Sequence, residues 1–260
     1  MIETFDTDNF TLVLSGGGAL GIAHLGVIHD IQIKKIEPKE LVGTSMGGII
    51  AACMSIGLKE AEIYEHILAF SSVSKWISFS FSGNAIVDNQ KIEDIFECIF
   101  HDKKMKDTNI PLKLIATDLR NGNKRVFDAK DNVYIKDALL ATIAIPGIFE
   151  EHIIGTNTYV DGFLCENLGI NEASFNNVLA IDVLGRNSFE KDLPDNFFKT
   201  ANVLEMLEKS MRLLIYNQTR THIRNSSKNI MLLEPVTKTY KTYHFHKVAR
   251  IRKIGLGLLK

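Results

Sequence analysis

The sequence predicts an α/β fold: three α/β/α layers around a largely parallel central sheet. Three observations predict it. Apolar runs of strand length alternate along the chain with longer stretches in which apolar residues recur every three or four positions, as in strand-helix-strand units. Two glycine-bearing turns, Ser15-Gly16-Gly17-Gly18-Ala19-Leu20-Gly21 and Val42-Gly43-Thr44-Ser45-Met46-Gly47-Gly48, each stand between such a run and such a stretch. Val178 to Leu184 is an apolar run bounded by polar residues, as a strand buried on both faces should be.

Thr11 to Leu14 is apolar and β-branched and reads as the first strand. Beyond the first glycine turn, Leu20, Ala23, His24, Val27, Ile28 and Ile31 keep helical spacing. Leu41 to Thr44 is a short strand ending at Ser45, and Met46 to Ile56 is a nearly all-apolar helix stopped by Gly57. Lys59 to Phe70 has the mixed face of a surface helix. Ser71 to Asn89 changes composition, rich in serine and carrying Trp76, Phe79, Phe81 and Ile86, and reads as a loop over the site. Asp88 caps a helix over Gln90 to Phe100. Leu112 to Thr117 and Lys124 to Phe127 form a strand pair across Asn121-Gly122-Asn123. Ile135 to Ile145 is helical up to Pro146-Gly147, and His152 to Val160 is a hairpin turning at Gly155-Thr156-Asn157, its second arm ending at Asp161-Gly162. After Val178 to Leu184 come a charged link, a helix over Val203 to Thr221, a strand at Ile230 to Leu233 and a last helix within His246 to Leu259.

The bulk composition narrows the function classes. At 260 residues, 45% hydrophobic and 23% charged, the chain is long enough for one large domain over 1–260 with a substantial core. A net charge of -1 offers no basic excess for nucleic acid, so no nucleic-acid partner is expected. Cys53, Cys98 and Cys165 are far apart and lack C-x-x-C spacing, which argues against a disulfide framework or a zinc site. No metal or cofactor is called for, and the thiols are expected to be reduced. The acidic start at Glu3 and Asp6 is unlike a secretory signal, and no window approaches the roughly 18 uncharged apolar residues of a spanning helix, so the expected location is cytoplasmic.

The second glycine turn fits G-x-S-x-G, which sets a serine on a sharp turn between strand and helix. The first suits an anion, because backbone amides point out of it. Joined, they suggest a nucleophile at Ser45 and an oxyanion hole from the amides of Gly17 and Gly18 with Met46. Formally, Gly16-x-Gly18-x-x-Gly21 is also the dinucleotide fingerprint, with Glu37 or Glu40 as the ribose acid; that oxidoreductase reading leaves Ser45 unexplained. A serine needs a base, and none of the eight histidines sits in a turn signature. Asp161, followed by Gly162, is the better-placed carboxylate.

The motifs together resemble the patatin-like phospholipases. They are Gly16-Gly17-Gly18-Ala19-Leu20-Gly21, Gly43-Thr44-Ser45-Met46-Gly47, Ala116-Thr117-Asp118-Leu119, Ala144-Ile145-Pro146-Gly147-Ile148-Phe149 and Tyr159-Val160-Asp161-Gly162. The resemblance implies a patatin-like fold and a lipid or phospholipid acyl ester as substrate. By the same resemblance Ser45 is the nucleophile and Asp161 the general base of a Ser-Asp dyad, with the Gly16 to Gly18 amides as oxyanion hole. Leu20, Phe163 and the proline-free Asn167-Leu168-Gly169 depart from the family pattern. Phe163, beside the base, leaves open a catalytically weak regulator or scaffold. An aspartate near its ordinary pKa of about 4 is a poor base for a serine, so the oxyanion hole is expected to carry much of the rate.

Two substrate-facing expectations complete the reading. Trp76, Phe79, Phe81 and Ile86 would form a lid or an acyl-chain entrance, the aromatics being otherwise ordinary core, and Phe163 would contact substrate by narrowing the acyl site. Val236 to Lys260 carries seven lysines and arginines and no acid. It would form a basic helical segment whose apolar side, Val248, Ile251, Ile254 and Leu258, either docks peripherally on anionic lipid or faces inward as the last helix of the fold.

Overall fold

The computed structural model describes residues 5–73, 89–189 and 202–260. In chain order the elements are β1 (Phe10–Leu14), α1 (Ala23–Ile33), β2 (Glu40–Thr44), α2 (Met46–Ser55), α3 (Glu60–Val73), α4 (Asn89–Phe100), β3 (Leu112–Asp118), β4 (Lys124–Phe127), α5 (Ile135–Ile143), β5 (His152–Ile154), β6 (Asn157–Asp161), β7 (Asn177–Ile181), α6 (Asn202–Asn225), β8 (Asn229–Leu233) and α7 (Val248–Gly255). Between β1 and α1 the first glycine turn winds into a 3-10 turn at Gly18–Ile22 instead of entering an α-helix at once. The last helix is shorter than its sequence pattern, because Gly255 and Gly257 end it before Leu259.

Strands β3, β2, β1, β7 and β8 lie side by side in parallel, and β4, β5 and β6 are antiparallel additions at the β3 end. Alternation along each strand builds two cores of unequal size. Leu12, Leu14, Leu41, Leu114, Leu179 and Ile181 face the larger, which is filled by α1, α2 and α5 with α3, α4 and α7 behind them. Val13, Val42, Ile115, Val178 and Ala180 face the smaller, closed by Leu168, Ile170, Ala173 and Ile223 of α6. Near-continuous burial along β1 and β2 follows, since both of their faces are covered.

The register at β3 positions the site. Leu114 and Ile115 pair with β2 and β4, so these two strands occupy opposite edges of β3. Ala116 and Thr117 pair with β4 and β6, which puts β6 on the edge that β2 occupies. Strand β2 stops at Thr44 opposite Ile115, and β6 stops at Asp161 opposite Ala116. Two strands thus meet tip to tip against one edge of β3, and Ser45 and Asp161 come together at the junction.

Candidate active site

Ser45 turns the chain from β2 into α2 with φ 53° and ψ −126°, a conformation L-residues seldom adopt and the one a nucleophile elbow imposes. The turn is tight enough to exclude side chains at its glycines: a Cβ on Gly47 would lie 2.5 Å from the Ser15 carbonyl oxygen. The Ser45 N–H donates to Thr142 Oγ1 on α5 at 3.0 Å, and that hydroxyl donates to the Ile115 carbonyl. Thr142 therefore ties the elbow to β3.

The first glycine turn lies alongside. A Cβ on Gly16 would stand 3.1 Å from the Ser45 Cβ, which measures how closely this backbone passes the serine. The Gly16 N–H, however, donates to the Asn167 carbonyl at 3.1 Å and Asn167 Nδ2 donates to the Gly16 carbonyl at 3.4 Å. Its amide is already engaged, which removes Gly16 from the expected set of oxyanion donors. Among the described residues no acceptor takes the N–H of Gly17, Gly18 or Met46. Gly18 has φ 53° and the Thr242 carbonyl pressed against the place of its missing side chain. That carbonyl also accepts the Ala19 N–H at 2.7 Å, so the segment carrying Thr242 braces the turn. His24 is the histidine of this region. Its buried Nε2 bonds the Ser15 carbonyl at 2.9 Å, and burial pushes its pKa down to about 4. Neutral and spent on the turn, it is no base for Ser45.

Asp161 is fully buried. Its N–H donates to the Ala144 carbonyl at 2.9 Å and its own carbonyl accepts from Thr117 Oγ1 at 3.0 Å. Carboxylate Oδ1 accepts the Phe163 N–H at 3.0 Å. The Ser45 hydroxyl is the carboxylate's other neighbour, in a loose contact outside regular hydrogen-bond geometry, so Oδ2 has no regular donor. Desolvation raises the carboxyl to about 7, against the lowering pull of Ser45 and the Phe163 N–H. This overturns the expectation of a near-normal pKa, because sequence alone does not reveal how completely water is excluded. Phe163 packs its half-buried ring against the larger core. Its contribution to the Asp161 carboxylate comes from its backbone N–H, which any residue but proline supplies.

Beyond Met46, a narrow slot runs between α2, α3 and α4, lined by Met46, Ile49, Cys53, Ile63, Ile67 and Phe96 among others. Its apolar lining was not singled out from sequence, since it draws on three separate helices. Trp76, Phe79, Phe81 and Ile86 lie outside the described residues, as does the Asp88 cap. Thr142 and Asn167 were also missed: each acts on a residue about a hundred or more positions away, and no local pattern marks them.

Two other expectations are settled by position. Glu40, one of the two candidate ribose acids with Glu37, sits at the start of β2, bonded to Thr11, Ser174 and Lys113 at the end of the sheet away from the glycine turn. Gly21, the third glycine of that fingerprint, packs against Met46. On α7, Val248 and Ile251 are buried and Ile254 packs against the same core, as does Leu258 beyond the helix end, so the apolar side of the basic segment faces inward. Arg252 fixes it there with a two-pronged bond to Glu60 of α3, 2.6 and 2.9 Å. Among the described residues no helix is long and apolar enough to cross a membrane.

An uncharacterized NTE family protein of Mycobacterium tuberculosis is 28% identical over 158 residues, 60% of this chain and 43% of that protein. The cUMP-AMP-activated phospholipase of Escherichia coli is 28% identical over 193 residues, 64% of this chain and 59% of that protein. Lysophospholipase NTE1 of Debaryomyces hansenii is 21% identical over an aligned 283 positions, covering 99% of this chain and 18% of that protein. The chain thus spans about half the length of the first two. Residues 12–174, more than half of the chain, match the family model described as patatin-like phospholipase. They take in both glycine turns, the strand tips at Ser45 and Asp161 and the Asn167 brace, and the chain belongs to the patatin-like phospholipase family.

Proposed function

We propose that the protein hydrolyses lipid acyl esters through a Ser45-Asp161 dyad and an acyl-enzyme intermediate. The observation that carries this reading is the strained Ser45 set beside a buried carboxylate whose pKa lies near 7. A base poised near the working pH accepts a serine proton far more readily than an ordinary aspartate.

In the first half-reaction Ser45 Oγ attacks the ester carbonyl carbon and its proton passes to Asp161. The carbonyl oxygen becomes an oxyanion received by the N–H groups of Gly17, Gly18 and Met46. Collapse of the tetrahedral adduct breaks the bond to the leaving alcohol, which takes the proton from Asp161 and leaves Ser45 acylated. Water then attacks the acyl carbon, gives its proton to Asp161, and releases the fatty acid as the proton returns to Ser45. The acyl chain is assigned to the apolar slot beginning at Met46, which is too narrow for it as it stands and must open between α2, α3 and α4. Phospholipid or lysophospholipid esters are the favoured class, in keeping with the names of two relatives.

A fluorophosphonate probe is expected to label the wild type and not Ser45→Ala. Ser45→Ala and Asp161→Asn are each expected to lower turnover of p-nitrophenyl esters by at least about a thousandfold. Near-wild-type turnover in either variant sinks the dyad. A folded wild type that neither labels nor turns over any ester would favour the catalytically weak regulator or scaffold.

A further inference from the structure

Helix α6 has an exposed apolar flank whose two ends border the site. Its inward face holds Glu208, Arg212, Ile215 and Thr219. At 100° per residue, Leu207, Met211, Leu214 and Gln218 line up along one side of that face. The first three are 56%, 41% and 70% exposed, a strip of apolar side chains without a charge among them. Gln218, next along the strip, donates from Nε2 to the Cys165 carbonyl at 2.5 Å. The strip therefore runs up to the turn that follows Asp161, where Leu164 is itself 46% exposed.

The loop 236–247 joins the inward face of α6 to the glycine turn. Glu208 accepts from Thr242 N and Oγ1 at 3.2 Å each, and Arg212 Nη2 donates to the Tyr240 carbonyl at 2.9 Å. Thr242 in turn braces Gly18 and Ala19 of the glycine turn. The loop exposes Tyr243 and Lys238, leaves Lys241 half-exposed, and contains no acid. Strip and loop thus each reach a segment that flanks the site, the strip at the turn after Asp161 and the loop at the glycine turn.

We infer that this surface, the α6 strip with the loop 236–247, is the face by which the protein docks on an anionic phospholipid bilayer. The inference rests on the acyl-hydrolase reading, which requires a water-insoluble ester to reach Ser45. Exposed leucines and methionine entering the headgroup boundary supply apolar burial, and the lysines of the adjoining loop supply attraction to anionic headgroups. A second copy of the chain is the weaker occupant, because symmetric pairing would bring the basic loop close to its own image. The surface also differs from the one the sequence suggested, since the apolar side of α7 is already buried.

The test is co-sedimentation of full-length Ser45→Ala protein with phosphatidylcholine vesicles, with and without phosphatidylglycerol, at low and high salt. Binding is expected with phosphatidylglycerol, weakened by salt. It should fall at least about fivefold in Leu207→Ser/Leu214→Ser and in Lys238→Glu/Lys241→Glu. The same changes made in the active protein should leave p-nitrophenyl butyrate turnover unaltered, which reports an intact fold. Binding that is equal in all variants, or indifferent to phosphatidylglycerol, overturns the inference. So does a dimer that the variants dissociate while vesicle binding persists. Because Ser45→Ala needs no turnover to bind, loss of docking is separable from failure of the catalytic reading, which would show as a wild type inert to esters and to fluorophosphonate.

Discussion

Asp161 is desolvated on all sides, and the same desolvation that lifts its carboxyl to about 7 opposes folding wherever the group is ionised. Two consequences follow, of opposite benefit. Under the proposed dyad the carboxylate must be ionised to accept the Ser45 proton, so kcat/KM should climb with pH to a plateau above an apparent pKa of about 7. A profile flat between roughly pH 5 and 8 would remove Asp161 as the base. For stability, the unfolded aspartate titrates near 4, so between about pH 4 and 7 the folded chain holds a proton the unfolded one has released. Stability is therefore lost as pH rises through that window. Asp161→Asn escapes this loss, and its melting temperature should exceed wild type at pH about 8 by an amount that vanishes near pH 4. The gain has a ceiling on the order of 4 kcal/mol, at about 1.4 kcal/mol per pKa unit. Equal melting temperatures at both pH values would mean that the carboxylate is better solvated than its burial implies. Asp182, at the end of β7, is also raised to about 7 by burial and adds to the same pH dependence in both proteins.

At the scale of elements, the elbow is held from outside by α5. The Ser45 N–H has Thr142 Oγ1 as its acceptor, and Thr142→Val would keep the shape of the side chain while leaving that N–H without one. The expected result is a loss of about 1–3 kcal/mol in stability with a fall in kcat larger than any change in KM, while Thr142→Ser restores both. A Thr142→Val enzyme with wild-type kcat would show that the strained turn sustains itself. The two glycine turns were legible in the sequence because each is local: a strand, a glycine spacing and a helix start within a dozen residues. Asp161 was legible only as a turn aspartate with a family resemblance, since its partner arrives through strand pairing. Thr142, Asn167 and the apolar slot were not legible, because each depends on elements brought together from distant parts of the chain. The engagement of Gly16 with Asn167 belongs to the same class, and separating the glycine that approaches the serine from those whose amides remain available required the backbone itself.

On the scale of the whole molecule, the expected α/β/α layering is present but lopsided, with most helices on one face and the C-terminal part of α6, at Ile223, on the other. The alternation of strands and helices carried the parallel part of the sheet, and the short hairpins carried its antiparallel end. What no pattern carried was the junction at β3, where β2 and β6 share an edge. That junction acts as a gauge block: the spacing of serine and carboxylate is set by adjacent rungs of one strand, so it can change only in whole residues, by about 3.3 Å at a time. Chain length should then matter on one side of Asp161 and not on the other. The exposed turn at Gly155-Thr156 is remote from the junction, and one extra glycine there should leave ester turnover within about twofold of wild type. One inserted between Asp161 and Gly162 would detach the Phe163 N–H from the carboxylate and should abolish turnover. If both insertions proved equally harmful, the hairpin rather than the rungs would be setting the spacing. On this geometry the hairpin can vary in length while Ser45 and Asp161 stay in calibration.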